Sequence, residues 1–149
     1  MVEWSDWYNK IPCEKAMTVE QQRLAAIIYA YDRLRKGVQR LAMTAQEQRS
    51  SEPDFVCLSF ELLDEVDRPL EILESFDAIG VIDPLDIGHL QGIRERLLHL
   101  ARDRNTAHLD AVLTDAAWEQ VRSDARSFLG RGGLRELDSS EIEHRVSRE

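Results

Sequence analysis

The feature that most constrains the fold is an apolar stripe that runs through residues 20–48. Its members recur every three or four positions, which is the spacing of one face of an α-helix and not the alternation of a strand. They are Leu24, Ile27, Ile28, Tyr31, Leu34, Val38, Leu41 and Ala45. Thr18 and Gln21 precede the stripe as a capping box. The pattern predicts one long helix over this range, with Gly37 as its weakest point.

Shorter segments with the same helical spacing follow, separated by turn-forming residues. We expect a helix over 55–66, a new segment that begins at Pro69 and ends near Gly80, a helix opened by Asp83 and Pro84, and a last strong helix from Thr114 or Asp115 to the glycine-rich run 130–133. No alternating β-branched segment bounded by hairpin turns is visible. The predicted fold class is therefore all-α, a bundle of about four to six helices with one long N-terminal helix.

A length of 149 residues fits one helical domain that spans the chain. Residues 1–17 carry Trp4, Trp7 and Tyr8, which are too many aromatic side chains for a free tail. We expect this arm to pack onto the body of the protein or onto a partner, so the three aromatic residues are candidate partner-binding residues. Residues 134–149 are predicted to be a polar tail with one short turn after Ser140.

The charge is acidic overall and unevenly distributed. The net charge of −9 opposes non-specific binding to nucleic-acid phosphates. Residues 91–135, however, contain eight arginines and six acidic residues, so this stretch carries +2. Sixteen of the nineteen basic residues are arginine, which favours fixed hydrogen-bonded roles. This mildly basic stretch removes the simplest objection to RNA chemistry there.

Two observations bear on the compartment. No window approaches the roughly 18 consecutive apolar residues that cross a bilayer, and the N-terminus lacks the basic start and apolar run of a signal peptide. We therefore expect a cytoplasmic protein that does not enter a membrane. Cys13 and Cys57 are then expected to be free thiols, with Cys57 buried.

The sequence offers little for a metal or a cofactor. His89, His99, His108 and His144 never stand four apart, so no pair of imidazoles shares one helix face. Glu61 and Glu65 do share a face, but such a pair is usually solvated surface. The glycines at 130–133 follow a helix and do not open one, as a phosphate-binding loop would. We expect no metal and no cofactor.

The remaining constellation is Leu100-Ala101-Arg102-Asp103-Arg104-Asn105-Thr106-Ala107-His108-Leu109-Asp110. It resembles the motif of the HEPN superfamily of small helical bundles, in which an Arg is followed by four to six residues and a His, commonly with a polar residue after the Arg. Arg102, Asp103 and His108 fill these places, and Trp118 lies in the helix that follows. The resemblance covers about residues 95–130. Asp110 stands where toxin members of the superfamily often carry Tyr.

The resemblance implies a metal-independent endoribonuclease, or an inactive derivative of one, in a bacterial defence or toxin–antitoxin system. His108 would exchange protons with the RNA 2′-hydroxyl and the 5′-oxygen, and Arg102 would stabilise charge on the phosphoryl oxygens. Asp103 or Asn105 would orient the Arg or the His. The resemblance also implies a homodimer with RNA in a shared cleft.

Two alternatives stay open. The protein could be a non-catalytic helical adaptor, an immunity protein or a subunit of a larger assembly, because its acidic surface and its aromatic arm suit a basic protein partner. The motif could also be structural, with Arg102 and Arg104 on a solvated face near a helix end and His108 donating to a turn carbonyl. Arg94 and His99 also satisfy the motif of an Arg four to six residues before a His, so one such match carries limited specificity.

Overall fold

The computed structural model describes residues 18–53 and 57–147, and these ranges contain helices and turns but no β-strand. We number the helices in chain order. They are α1 (Val19–Leu41), α2 (Ala45–Ser50), α3 (Leu58–Ser75), α4 (Pro84–Arg102), α5 (Arg104–Ala107), α6 (Leu109–Thr114), α7 (Ala116–Gly130) and α8 (Ser139–Ser147), with a 3₁₀ helix at Ile79–Val81. The predicted all-α bundle with a long first helix is confirmed. Five of the helices have nine or more residues and build the bundle, and α2, α5 and α6 connect them.

Helix α1 is shorter than its apolar stripe suggests. It ends at Leu41, and α2 begins after Thr44 with a second capping box, in which the Thr44 hydroxyl accepts from the Glu47 N–H at 3.1 Å. The expectation of one continuous helix to residue 48 was therefore wrong. Thr44 and Glu47 offer the backbone a fresh helix start that competes with continuation of α1.

Gly37 is a contact point and not a weak point of α1. A Cβ added to Gly37 would lie 2.2 Å from the carbonyl oxygen of Glu65, so the glycine hydrogen points at that oxygen across the crossing of α1 and α3. Pro69 explains why this oxygen is available, since it has no N–H to bond with the Glu65 carbonyl four residues earlier. A Cα–H···O contact from Gly37 then partly replaces the missing bond.

Helix α3 continues through Pro69, which lies inside it. The expected start of a new segment at this proline was wrong, because Pro69, Leu70 and Leu73 are all buried against the neighbouring helices. Packing of this apolar face compensates for the lost hydrogen bond. Pro84, by contrast, opens α4 as predicted, with Asp83 at the N-cap position.

One apolar core joins the five long helices. Its largest fully buried side chains include Trp118 and Phe128 of α7, which pack with leucines and isoleucines of α1, α3 and α4. Helix α7 begins after Asp115 and ends at Gly130, as the glycine-rich run predicts. This core holds the end of α4 and the start of α7 at fixed positions.

The C-terminal residues are not a free polar tail. Helix α8 extends to Ser147, and Leu134, Leu137 and Ile142 are buried. Two side chains of α1 hold the segment that precedes α8: the Tyr31 hydroxyl donates to the Arg135 carbonyl at 2.7 Å, and Arg35 Nε donates to the Leu134 carbonyl at 2.8 Å. The predicted tail is therefore wrong in extent and in packing, because three apolar residues spaced among the polar ones are enough to dock it.

Three further observations complete the fold. None of the described helices is long and apolar enough to cross a membrane. Cys57 is a free thiol, but it is exposed beside the start of α3 and not buried as expected. Trp4, Trp7 and Tyr8 lie outside the described residues.

Candidate functional site

The motif begins at the end of α4 and continues into a helical connector, residues 103–115, that joins α4 to α7. Arg102 is the last residue of α4, and Asp103 begins α5 by accepting the Asn105 N–H on its carboxylate at 2.8 Å. His108 ends α5 and begins α6, because its Nδ1 accepts the Ala111 N–H at 3.2 Å. The segment therefore turns sharply twice within seven residues, and Asp103 and His108 make both turns.

Partly buried hydrogen bonds hold this connector in place. The Thr106 hydroxyl donates to the Leu100 carbonyl at 2.7 Å, and Trp118 Nε1 donates to the Thr106 carbonyl at 2.6 Å. Trp118 is fully buried and Thr106 is half-buried, so this second bond is partly shielded from competing water. The connector is thus fixed to both α4 and α7.

A buried arginine anchors the next part of the connector. Arg122 of α7 is only 1% exposed and donates from its guanidinium to the Val112 carbonyl and to Gln48 Oε1, the latter at 2.9 Å. Burial lowers the pKa of Arg122, and Glu119 opposes this effect. Gln48 in turn donates to the Leu41 carbonyl at the end of α1 at 2.9 Å. These bonds link α1, α2, α6 and α7.

The polar side chains of the motif lie on the outside of this support. Arg102, Arg104, Asn105 and His108 are exposed. The guanidinium groups of Arg102 and Arg104 have no polar partner among residues 18–53 and 57–147. Many other arginines of the chain pair with carboxylates, namely Arg40, Arg68, Arg94, Arg96, Arg122, Arg126 and Arg145. The connector thus offers unneutralised cationic charge in an acidic protein.

The hydrogen bond of His108 fixes its tautomer. An Nδ1 that accepts from a backbone N–H carries no proton, so the neutral ring carries its proton on Nε2. In this state His108 can donate a hydrogen bond to a phosphoryl oxygen from Nε2. To accept a proton on Nε2, the ring must exchange tautomers and release the Ala111 N–H.

Arg102 shares its cavity with His99 and not with His108. An open cavity of about 580 Å³ lies along the outer face of α4 and is lined by Gln91, Arg94, Glu95, Leu98, His99 and Arg102. His99 stands one helical turn before Arg102, and the three-residue spacing of the two could have indicated this neighbour. Arg94 is engaged by Glu74 from α3, so it does not supply a second free guanidinium.

A group of carboxylates lies on another face. Glu52, Glu61 and Glu65 offer oxygens within 4.8 Å of one another, and Arg40 bonds to Glu52 at 2.6 Å and to Glu65. Burial raises the pKa of Glu65, although Arg40 opposes the effect. Glu61 and Glu65 are therefore not simply solvated surface, and the Arg40 guanidinium supplies the charge that balances this group.

The connector presents phosphate-binding chemistry on a rigid base. Two guanidinium groups and one imidazole N–H are hydrogen-bond donors that suit phosphate oxygens. Comparisons of the chain with protein-family models, with curated proteins and with solved structures find no match. The functional argument therefore depends on this geometry.

Proposed function

We propose that the chain is a HEPN-like helical protein that binds RNA at the connector and cleaves it with its own side chains. The observation that carries the proposal is that Arg102 and Arg104 are exposed and have no acidic partner among the described residues, beside a connector that Trp118 and Arg122 bond to α7. In a chain with 28 acidic residues, two such arginines on either side of Asp103 favour an anionic ligand. A bacterial defence or toxin–antitoxin role and a homodimer belong to the same proposal.

The proposed reaction is transesterification. The RNA 2′-oxygen attacks the adjacent phosphorus as its proton passes to a base, the P–O5′ bond breaks, and the departing 5′-oxygen takes up a proton. The products are a 2′,3′-cyclic phosphate and a free 5′-hydroxyl, with no oxidant or second substrate. Arg102 stabilises the charge that builds on the phosphoryl oxygens, and His108 exchanges the protons, for which its ring must release the Ala111 N–H.

His108 therefore has two roles that a suitable pair of variants separates. His108→Ala removes both the imidazole and the cap of α6, whereas His108→Asn removes the imidazole but keeps a side chain that caps helices well. We expect both variants to lose RNA cleavage by a factor of about a hundred or more. Only His108→Ala should also lose about 1 kcal/mol of stability.

The assay measures cyclic-phosphate ends after incubation of structured RNA with the full chain in EDTA. Cleavage that persists in EDTA and disappears in His108→Asn supports the proposal. No cleavage by wild type, or equal cleavage by wild type and His108→Asn, rules out the nuclease. If cleavage is absent, a gel-shift assay on the same RNA tests whether the chain is an inactive derivative that still binds.

Arg102→Gln tests the phosphate contact, with Arg49→Gln as its matched control. Arg49 of α2 is also exposed, and its side chain has no polar partner within the described residues. We expect Arg102→Gln to weaken cleavage about a hundredfold and Arg49→Gln to leave it unchanged. Equal effects of the two substitutions would show that only overall charge matters.

A second candidate function is a non-catalytic helical adaptor, immunity protein or subunit. The capping bonds of Asp103 and His108 favour it, because they explain both side chains without any chemistry. Under this alternative, Asp103→Asn and His108→Asn should be fully functional in every assay, since Asn also caps helices. Light scattering after size-exclusion chromatography would reveal the homodimer of the first proposal.

A further inference from the structure

A second donor-rich groove lies between α4 and α7, separate from the connector. It encloses about 400 Å³ and opens to solvent along one side. His89 and Arg96 of α4 line it together with Asp124, Ser127 and Phe128 of α7, and Arg131 stands at its end. None of these residues belongs to the motif.

This groove presents more free hydrogen-bond donors than free acceptors. Among the described residues, Asp124 is the only carboxylate that lines it, and both Asp124 oxygens are occupied, one by Arg96 and the other by Gln120 Nε2 at 3.0 Å. The Arg131 guanidinium and the His89 ring have no polar partner in the part of the chain that the structure describes. A ligand that fits must therefore supply acceptor oxygens.

The turn after α7 holds Arg131 firmly. The Gly133 N–H donates to the Phe128 carbonyl at 3.0 Å, and Gly133 lies so close to the Phe128 ring that a Cβ there would be 2.5 Å from it. Gly132 adopts the left-handed φ of 86° that the turn requires. Leu134 then donates its N–H to Asp86 of α4 at 3.3 Å. Arg131 thus stands on a backbone that is tied to both walls of the groove.

The groove also presents one exposed aromatic ring. His89 is exposed and packs on the buried Phe128, with the ring centres 6.1 Å apart at 49°, so the imidazole is the aromatic surface beside the donors. A Cβ built on Gly88 or Gly92 meets no atom within 4 Å, so the α4 wall is open beside these rings. Aromatic side chains next to arginine are the usual platform for a nucleobase and its phosphate.

We propose that the α4–α7 groove binds a phosphate ester of a nucleoside, with the phosphate at Arg131 and the base beside the exposed His89 ring. The phosphate ester comes either from a free mononucleotide or from one unit of an RNA strand. Both sources present the same anionic oxygens and flat ring. The site is independent of the cleavage proposed at Arg102 and His108.

Titration of the full chain with 5′-AMP, inorganic phosphate and hexauridylate, followed by calorimetry and amide NMR, tests the proposal. We expect saturable binding of 5′-AMP with shift changes centred on the groove. Arg131→Gln should weaken this binding about tenfold, which is the loss of one charge-assisted contact. Arg49→Gln is the control and should bind as wild type does.

Gly92→Leu gives a second variant that adds bulk without changing charge. Leu extends into open space and favours helix, so the fold should persist, as a thermal melt will verify. We expect Gly92→Leu to abolish 5′-AMP binding. If neither Arg131→Gln nor Gly92→Leu changes the affinity, the ligand binds elsewhere and the proposal is wrong. The proposal is also wrong if none of the three probes binds saturably.

Two comparisons distinguish a free mononucleotide from an RNA strand as the ligand, and the groove from the proposed nuclease. Tighter binding of hexauridylate than of 5′-AMP identifies an RNA strand as the source, whereas equal binding identifies a free mononucleotide. Arg102→Gln should leave the 5′-AMP-induced shift changes of the groove residues unchanged while it impairs cleavage. If the chain binds 5′-AMP through Arg131 but cleaves no RNA, the groove is supported and the nuclease is not.

Discussion

Two regions of the molecule reach a fixed structure by different means. Helices α1 and α3 lie against each other through an apolar face and a close crossing at Gly37 and Glu65. The connector from Asp103 to Asp115 consists of two very short helices, and side-chain hydrogen bonds from Trp118 and Arg122 hold it. Long helices gain enough buried area to define their own positions, whereas helices of four to six residues do not. The connector therefore needs polar bonds from its neighbours.

The largest expected loss of stability comes from a substitution that removes hydrogen bonds to the connector. Arg122→Met should lower the free energy of unfolding by about 4 kcal/mol, because the Val112 carbonyl and Gln48 Oε1 remain buried without their donor. Arg126→Met, four residues on at the exposed face of α7, should cost less than about 1 kcal/mol. Urea denaturation measures both. Similar losses would mean that burial of Arg122 matters little.

A substitution at the crossing of α1 and α3 should give the next largest loss of stability. Gly37→Ala places a methyl group 2.2 Å from the Glu65 carbonyl and forces α1 and α3 apart, at a cost of about 2–3 kcal/mol. Gly92→Ala is the matched control on α4, where the methyl group meets nothing, and should stabilise the protein by about 1 kcal/mol. Thermal melts of the two variants should therefore shift in opposite directions.

Trp118→Phe should act locally on the connector. It removes the indole N–H that bonds the Thr106 carbonyl and leaves a small void, at a cost of about 2 kcal/mol. Hydrogen exchange should accelerate for residues 104–113 and stay unchanged in α1 and α3. A uniform acceleration over the whole chain would contradict the view that the connector is held by individual bonds.

The smallest expected effect is a loss of stability at high pH, and it arises from Tyr31, whose hydroxyl bonds α1 to the C-terminal segment. Burial raises the pKa of Tyr31 from 10.0 to about 12. The unfolded chain loses this proton first, so the stabilisation is complete below pH 10 and is lost as the pH rises towards 12. Stability should fall by about 1 kcal/mol at pH 11 relative to pH 9. The Tyr31→Phe variant should not show this fall in stability when its denaturation is measured at both pH values.

The sequence predicted the elements whose evidence is local. The apolar spacing of α1 and the caps at Asp83 and Asp115 mark helix faces and starts within a few residues. Pro69 misled the prediction because its cost is offset by Gly37, which lies 32 positions earlier. A single sequence does not show that two such residues meet. The prediction of one continuous helix to residue 48 did not consider the capping box that Thr44 and Glu47 form.

The candidate site was predictable only in part. The sequence identified Arg102, Asp103, Asn105 and His108 as a group, and the structure places the last three on one short connector, directly after Arg102 at the end of α4. It did not indicate that Asp103 and His108 cap helices, since capping depends on where the chain turns. Nor did it indicate Arg122, whose partners Gln48 and Val112 come from two other helices.

The bonds from Tyr31 and Arg35 of α1 to the segment around Leu134 have a consequence for synthesis. They join residues about a hundred positions apart in the chain. A ribosome adds roughly 5–20 residues each second, so α1 waits for several seconds before these partners exist. Throughout that interval one side of α1 lacks its final cover, which is the state in which a nascent chain is open to chaperones.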